Sequence, residues 1–234
     1  MNTPQNQSDN YTVYWTNLRA RAEKCFSQGD YDTCEQIWGQ ALPLLKEKRQ
    51  RDYCHALEHL AEAQLQLKKY EKAKDNFRES LEIKFRALGR NHAAVAHSYG
   101  NMAKLFYMMG DYARSERWAI DCASIYETAL GEESQALSCA LHNLATLYQA
   151  QKRFDVAEQF FEKAMAMKLN VFGQAHFEFV NLLRSYAQML RQVGRKSDAE
   201  HLDQCASGKI SGKWLVPDQK PTPFKQLQLD SYYR

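Results

Sequence analysis

The sequence predicts an all-α protein, a right-handed α-solenoid of about five helix-turn-helix repeats. Three observations support this prediction. The 234 residues include only ten glycines and five prolines, and long stretches without these residues favour helices. Apolar residues recur at spacings of three and four, which is typical of helices that bury one face. The whole pattern then returns along the chain at an interval of 42 residues.

The interval is visible at several independent positions. It separates the residues that open the second helix of successive repeats, Tyr70, Tyr112, Phe154 and Lys196. It also separates small residues in the first helices, Ala61, Ala103, Ala145 and Ala187, and an earlier copy with Ala22 fits at an interval of 39 residues. Self-similarity at a fixed period indicates stacked copies of one supersecondary unit.

Each copy pairs a small residue in its first helix with a small residue twelve positions later in its second helix. The pairs are Ala22/Cys34, Ala61/Ala73, Ala103/Ser115, Ala145/Ala157 and Ala187/Ala199. Small side chains allow two helix axes to approach closely, so each pair predicts a helix crossing. The intervening turns carry Gly29-Asp30, Lys68-Lys69, Gly110-Asp111, Lys152-Arg153 and Gly194-Arg195, which suit a helix C-cap followed by a short link.

These signals place the elements along the chain in order. A disordered lead is expected over residues 1–10. The helices are expected at about 11–28 and 31–48, 51–67 and 70–88, 93–109 and 112–130, 135–151 and 154–172, and 177–193 and 196–208. The five copies then span about 11–50, 51–92, 93–134, 135–176 and 177–208. A non-repeat C-terminal tail follows over 209–234, because the period stops after Gly208.

One position in the second helix differs between the copies. Copies 1, 2 and 4 have Trp38, Phe77 and Phe161 there, followed three residues later by a small residue. Copy 3 has Ala119 and copy 5 has Asp203. A polar residue in copy 5 is typical of a terminal repeat, which needs a polar outer face.

Taken together, these residues resemble the tetratricopeptide repeat. The resemblance rests on the small pairs, the Tyr or Phe that opens the second helix, and the aromatic-then-small pairs. The usual repeat has about 34 residues, and the longer period here is similar to that of the kinesin light chain and nephrocystin-like subgroup. The motifs Asn101-Met102-Ala103 and Asn143-Leu144-Ala145, and the glycine shortly before His92 and His176, support that subgroup. The resemblance covers about residues 11–210 and implies binding of peptides or proteins.

The charge distribution argues against a nucleic-acid partner. The net charge is +3, and from Gly208 onward the tail carries five Lys/Arg and two Asp, which leaves the body neutral. Nucleic-acid binders usually show a basic face. The first residues lack a basic segment followed by an apolar run, and no apolar run approaches the ~18 residues that span a bilayer. We therefore expect a cytoplasmic protein without membrane insertion.

The sequence offers no catalytic, cofactor or metal motif. The six cysteines form no CxxC pair, so we expect reduced thiols that pack as small apolar residues. His55 and His59 share a helix face, and Cys139 and His142 are three residues apart, but neither pair has the further ligands of a zinc motif. There is no GxSxG sequence and no glycine-rich phosphate loop. We therefore expect no enzymatic activity.

The first helices of copies 2 to 5 present a polar face, which we predict to be a concave binding groove. Its candidate residues are Glu58, Glu62, His97, Asn101, Lys104, Tyr107, His142, Asn143, Thr146, Gln149, Asn181, Arg184, Gln188 and Arg191. Asn101 and Asn143 stand out, because asparagine is a mediocre helix former whose amide both donates to and accepts from a peptide backbone. The acidic copy 2 and the more basic copies 3 and 5 predict a ligand of complementary charge.

The tail is the second predicted interaction site, through Trp214, Phe224, Tyr232 and Tyr233. It either folds back over the last helix pair, or serves as a linear motif for another protein, or contacts a membrane surface. The sequence as a whole predicts a non-enzymatic adaptor that binds a peptide or protein segment in the groove. The alternatives are a structural protein that forms homo-oligomers through the tail, and a regulatory subunit of an enzyme or transcription partner.

Overall fold

The structure, a computed structural model, describes residues 4–46 and 49–210. Within these residues the chain forms ten α-helices and no β-strand. The helices are α1 (Pro4–Ser27), α2 (Tyr31–Leu45), α3 (Gln50–Gln66), α4 (Tyr70–Leu88), α5 (Ala93–Met108), α6 (Tyr112–Leu130), α7 (Gln135–Ala150), α8 (Phe154–Phe172), α9 (Phe177–Gln192) and α10 (Lys196–Ala206). They follow one another as five hairpins, one for each predicted copy, and none of these helices is long and apolar enough to cross a bilayer.

Most helix ends agree with the sequence prediction within a few residues, and α1 is the exception. It begins at Pro4, so the expected disordered lead is wrong for residues 4–10. Proline is well suited to the first position of a helix, because its missing N–H would have no partner there. The absence of apolar periodicity before Tyr11 had hidden this start.

The helices group into two compact units, Met1–Ala87 and Leu88–Arg234. The first contains α1 to α3 and nearly all of α4, and its apolar core is built around Trp38, Leu45 and Leu57. The second contains α5 to α10, and its larger core includes Leu144, Phe160 and Leu183. The sequence period continues through this boundary and did not predict it.

Every hairpin turn is closed by the same backbone hydrogen bond. The N–H of the second turn residue donates to the carbonyl five residues earlier: Asp30 to Cys25 at 3.0 Å, Lys69 to Gln64 at 2.8 Å, and Asp111 to Phe106, Arg153 to Tyr148 and Arg195 to Leu190 at 2.9 Å each. The first turn residue has a positive φ in all five cases: 78° at Gly29, 57° at Lys68, 78° at Gly110, 61° at Lys152 and 83° at Gly194. This geometry is a Schellman C-cap, as the turn residues predicted.

The small pairs lie where the two helices of each hairpin cross. All ten residues are buried, and in two hairpins the pair also forms a hydrogen bond. The Ser115 hydroxyl donates to the Ala103 carbonyl at 2.8 Å, and the Cys34 thiol donates to the Ala22 carbonyl at 3.6 Å. A side chain of the second helix reaches the backbone of the first helix only where the axes are close, so these bonds confirm the predicted crossing.

Within each unit, an ion pair joins the second helix of one hairpin to the turn of the next. The pairs are Glu35–Lys69 at 2.6 Å, Glu116–Arg153 at 3.1 Å and Glu158–Arg195 at 2.5 Å. Tyrosine hydroxyls of the following first helix also donate to two of these carboxylates, Tyr148 to Glu116 and Tyr186 to Glu158. Each partly exposed pair adds only about 1 kcal/mol or less.

The turns yield a testable difference between Gly110 and Lys152. A Cβ at Gly110 would meet no atom within 4 Å, so Gly110→Ala carries only the backbone cost of a left-handed residue. We expect it to lower the free energy of unfolding by about 1 kcal/mol. Lys152→Gly removes that cost and should stabilise by a smaller amount, since glycine also loses more freedom on folding.

The control is Gly39→Ala inside α2, where the added Cβ also meets nothing within 4 Å but the backbone is helical. This change should stabilise by about 0.5–1 kcal/mol. Urea denaturation of the full chain measures all three variants. Equal or greater stability of Gly110→Ala would contradict the turn assignment.

Candidate functional site

The predicted polar face is present on α5, α7 and α9 of the second unit. The exposed candidates are His97, Lys104, Tyr107, Asn143, Asn181, Arg184, Gln188 and Arg191, and the half-buried ones are His142, Thr146 and Gln149. Buried residues such as Ala145 and Tyr148 alternate with them at helical spacing. The register taken from the small pairs therefore identified the side chains that leave the core.

Asn101 departs from this register. It is buried, with 8% of its surface exposed, and its amide nitrogen lies 3.5 Å from Nδ1 of His97. Asn143, at the equivalent position of the next hairpin, is exposed. Both amides were predicted to face a peptide backbone, but only Asn143 is exposed at the surface. Asn101 instead lines a cavity between α5, α6 and α7, which is described below.

The acidic candidates lie in the first unit and have partners there. The Glu58 carboxylate accepts a hydrogen bond from Lys84 Nζ at 2.6 Å, and both side chains are mostly buried. Glu62 lies 3.1 Å from Nδ1 of His59. The sequence pattern placed both carboxylates on the outward face of α3, but Lys84 approaches from α4, and a period along one helix does not reveal that approach.

A half-buried histidine pair packs against the core of the first unit. Nε2 of His55 and Nε2 of His59 are 3.2 Å apart, and the rings of Trp15 and Trp38 pack around them. Burial, and then the proximity of His59, lowers the pKa of His55 to about 4. Among the described residues, no group of three His, Cys, Asp or Glu side chains is arranged to hold a metal ion. The pair is a packed element of the core.

A second buried polar cluster lies beneath α7. The Lys168 side chain is fully buried, and its Nζ is 2.5 Å from a carboxylate oxygen of Glu178. Cys139 lies 3.8 Å from the same carboxylate. Burial, and then the Lys168 cation, lowers the pKa of His142 to about 4. Sequence reasoning missed Lys168, although its signal is present: it follows Lys84, whose side chain is mostly buried, by two repeat intervals.

A cavity opens between α5, α6 and α7, with a volume of about 470 Å³. Its floor is apolar and includes Ala103, Ala119, Ala140 and Leu147. Six candidate residues surround it: His97, Asn101, Lys104, Tyr107, Asn143 and Thr146. The sequence had placed these six on one face but gave no indication that they enclose a space.

The remaining candidates flank this cavity or lie elsewhere. Arg191 forms an ion pair with Asp203, the polar residue of the last hairpin, and Gln149 donates to Gln192 at 3.3 Å. The chain after α10 turns back, since the Ile210 carbonyl accepts a hydrogen bond from Gln174 at 2.6 Å. The tail candidates Trp214, Phe224, Tyr232 and Tyr233 lie outside the described residues, and their role stays a prediction.

Comparison with protein families gives one match. Three overlapping stretches, residues 52–128, 95–170 and 136–207, match the tetratricopeptide repeat model. Together they cover more than half of the chain. No curated protein sequence matches it.

Solved structures of similar fold include BtubC (BKLC) from P. vanneervenii, with a TM-score of 0.70 and 19% identity over 88% of this chain and 84% of that chain. A putative kinesin light chain of Podosopora anserina with nearly identical TPR-like repeats has a TM-score of 0.66 and 15% identity, over 82% and 93%. A Rap protein complexed with competence and sporulation factor has a TM-score of 0.53 and 18% identity, over 80% and 61%. At these identities the likeness is one of fold, and at that level it confirms the predicted repeat class.

The two half-buried histidines with lowered pKa values, His55 and His142, predict how stability depends on pH. The pKa values of His55 and His142 are about 4 in the folded protein, whereas an unfolded histidine has a pKa of about 6.5. The unfolded chain therefore binds more protons between pH 6.5 and 4, and the free energy of unfolding falls as the pH falls through this window. We expect a loss of about 2 kcal/mol from each histidine, measured by urea denaturation at pH 7 and pH 5.

Replacing both residues by glutamine should flatten this dependence, while His201→Gln, at an exposed position of α10, should leave it unchanged. An undiminished pH slope in the double variant would rule out the half-buried histidines as its source.

Proposed function

Because the chain belongs to the tetratricopeptide repeat family, we propose that it is a non-enzymatic adaptor that holds a peptide or protein segment on the polar face of α5, α7 and α9. The observation that carries this proposal is the coincidence of that face with the cavity between α5, α6 and α7. Cavities of several hundred Å³ with an apolar floor and a few polar groups at the rim are typical of binding sites.

The composition of the face supports capture of a polypeptide. Asn143 presents an amide that can both donate to and accept from a peptide backbone. Tyr107 is 36% exposed, and aromatic side chains with one polar end are enriched at interfaces. A face that served only solubility would carry mainly lysine and glutamate. This one carries amides, histidine and tyrosine.

Electrostatics narrows the class of ligand. Lys104 and Arg184 are exposed cations on this face, whereas Glu58 and Glu62 engage Lys84 and His59 within the first unit. We therefore propose that the bound segment is neutral or acidic where it crosses α5 and α9. Exposed charges of this kind raise the association rate and fix orientation more than they raise affinity.

The contacts of the ionisable groups beneath α7 support a structural role over a catalytic one. Lys168 and Glu178 satisfy each other in the core, and His142 packs against Phe161 with ring centroids 5.9 Å apart. The fold neighbours add a precedent for ligand binding, since the Rap protein structure is a complex with competence and sporulation factor.

Asn143→Ala tests the proposal. Asn143 is exposed on α7. Loss of the hydrogen bonds from its side-chain amide to the backbone of the bound segment should weaken partner binding about tenfold, the equivalent of about 1.4 kcal/mol. Helicity and melting temperature should not fall, since alanine is the better helix former. Binding is measured by pull-down from cells that produce the protein, followed by titration with the captured partner.

The matched control is Asn170→Ala, the same change at an exposed position of α8. It should bind as the wild type does. Undiminished capture by Asn143→Ala would remove this face as the binding site.

A further inference from the structure

We propose that the cavity between α5, α6 and α7 is a receptor pocket for one aromatic side chain of the bound segment. This inference rests on the proposed function and deepens it, because it names the chemical group that the segment must supply. It is carried by a comparison of equivalent positions in the hairpins.

Copy 3 lacks an aromatic ring that copies 1, 2 and 4 have at the equivalent position of the second helix. At equivalent positions, Trp38, Phe77 and Phe161 are almost completely buried. Phe161 stacks on Tyr186 with centroids 5.1 Å apart, and Trp38 stacks on His59 at 5.5 Å. In copy 3 the position holds Ala119, which lines the cavity. Copies 1, 2 and 4 thus fill this position with an aromatic ring, whereas copy 3 has only the methyl group of Ala119.

The facing helix of copy 3, α5, also lacks a side chain that the equivalent helices have. Gly100 on α5 stands where α3 has Glu58 and α7 has His142, both large side chains. A Cβ at Gly100 would lie 3.4 Å from the Cys122 sulfur, so position 100 borders the same space. Tyr126 stands where copy 2 has the mostly buried Lys84 and copy 4 has the fully buried Lys168, and it lines the cavity wall. Copy 3 thus lacks the usual bulk on two helices and carries an aromatic wall on one of them.

The volume of the cavity suits an aromatic side chain. An apolar cavity of about 150 Å³ stays dry and binds benzene. The cavity here is about 470 Å³, which is enough for a phenyl or indole ring together with adjoining backbone. Its floor of Ala103, Ala119 and Leu147 offers water few hydrogen bonds. An apolar ring that displaces poorly held water therefore binds favourably.

The mouth of the cavity lies on the polar face. Tyr107 and Asn143 are exposed residues that also line the cavity, so the pocket opens onto the polar face. A segment lying along this face can place its backbone on the Asn143 amide and one side chain in the pocket. An aromatic group is favoured over an aliphatic one, because Tyr107 and Tyr126 present rings that attract ring edges.

Indole binding to the isolated full chain tests the pocket directly. Amide NMR spectra of the wild type should show saturable shifts at Gly100 and Asn143 when indole is added. Cyclohexanol, an aliphatic ring of similar size, should bind at least tenfold more weakly. Absence of a saturable indole shift at these residues, or equal binding of cyclohexanol, would overturn the assignment of an aromatic pocket.

Ala119→Phe supplies the missing ring from within, as Phe77 and Phe161 do, and should reduce indole affinity at least tenfold. Ala113→Phe, at an exposed position of the same helix, should bind indole as the wild type does. If Ala119→Phe does not fold, Gly100→His, which copies the residue of α7, fills the same space. Unchanged indole affinity in a folded filled variant would overturn the proposal.

Partner capture by the same variants separates this inference from the proposed function. Loss of capture in both Ala119→Phe and Asn143→Ala supports both. Retained capture in Ala119→Phe, with capture lost in Asn143→Ala, overturns the aromatic pocket and leaves the adaptor function intact. Retained capture in Asn143→Ala overturns the proposed function, whatever the indole result.

Discussion

The close crossing of two helices at one pair of small side chains is the constraint on which the structure depends. At Ala145 and Ala157, for example, both residues are completely buried, and a large side chain there would separate the axes. The positive φ of Lys152 reverses the chain direction between the two helices, so that the second helix packs against the first at that crossing. Because hairpins of one shape can stack in one way, the crossing also fixes which face of each first helix is left outside the core.

A scaffold specified by so few positions leaves others free to vary. The position of Trp38, Phe77 and Phe161 is a core position in three hairpins, but copy 3 holds Ala119 there and opens a cavity. The position of Glu58 and His142 holds Gly100 in the same copy. The candidate site is therefore found where the repeat departs from its own pattern, beside polar residues that the pattern leaves exposed.

The sequence predicted what depends on order along a single helix. The turns at Gly110 and Lys152 followed from the turn residues and the repeat interval, and the exposure of Asn143 followed from its register relative to the small pairs. Features that depend on how side chains of different helices meet were missed, among them the burial of Asn101, the Lys168–Glu178 ion pair and the cavity. The boundary between Ala87 and Leu88 was also missed, since the repeat interval is unbroken there. Periodicity reports which face a residue occupies but not what approaches it.

The central claim, that a partner segment lies on the polar face of the second unit with an aromatic residue in the cavity, is tested most directly by photo-crosslinking. Benzoylphenylalanine is placed at position 97 on α5, an exposed position that lines the cavity, and, in a separate variant, at position 170 on α8, and both are irradiated in cells that produce the protein. We expect partner crosslinks from position 97 alone, on a peptide that contains an aromatic residue close to the crosslink. Equal crosslinking from position 170, or partner peptides without an aromatic residue, would contradict this account.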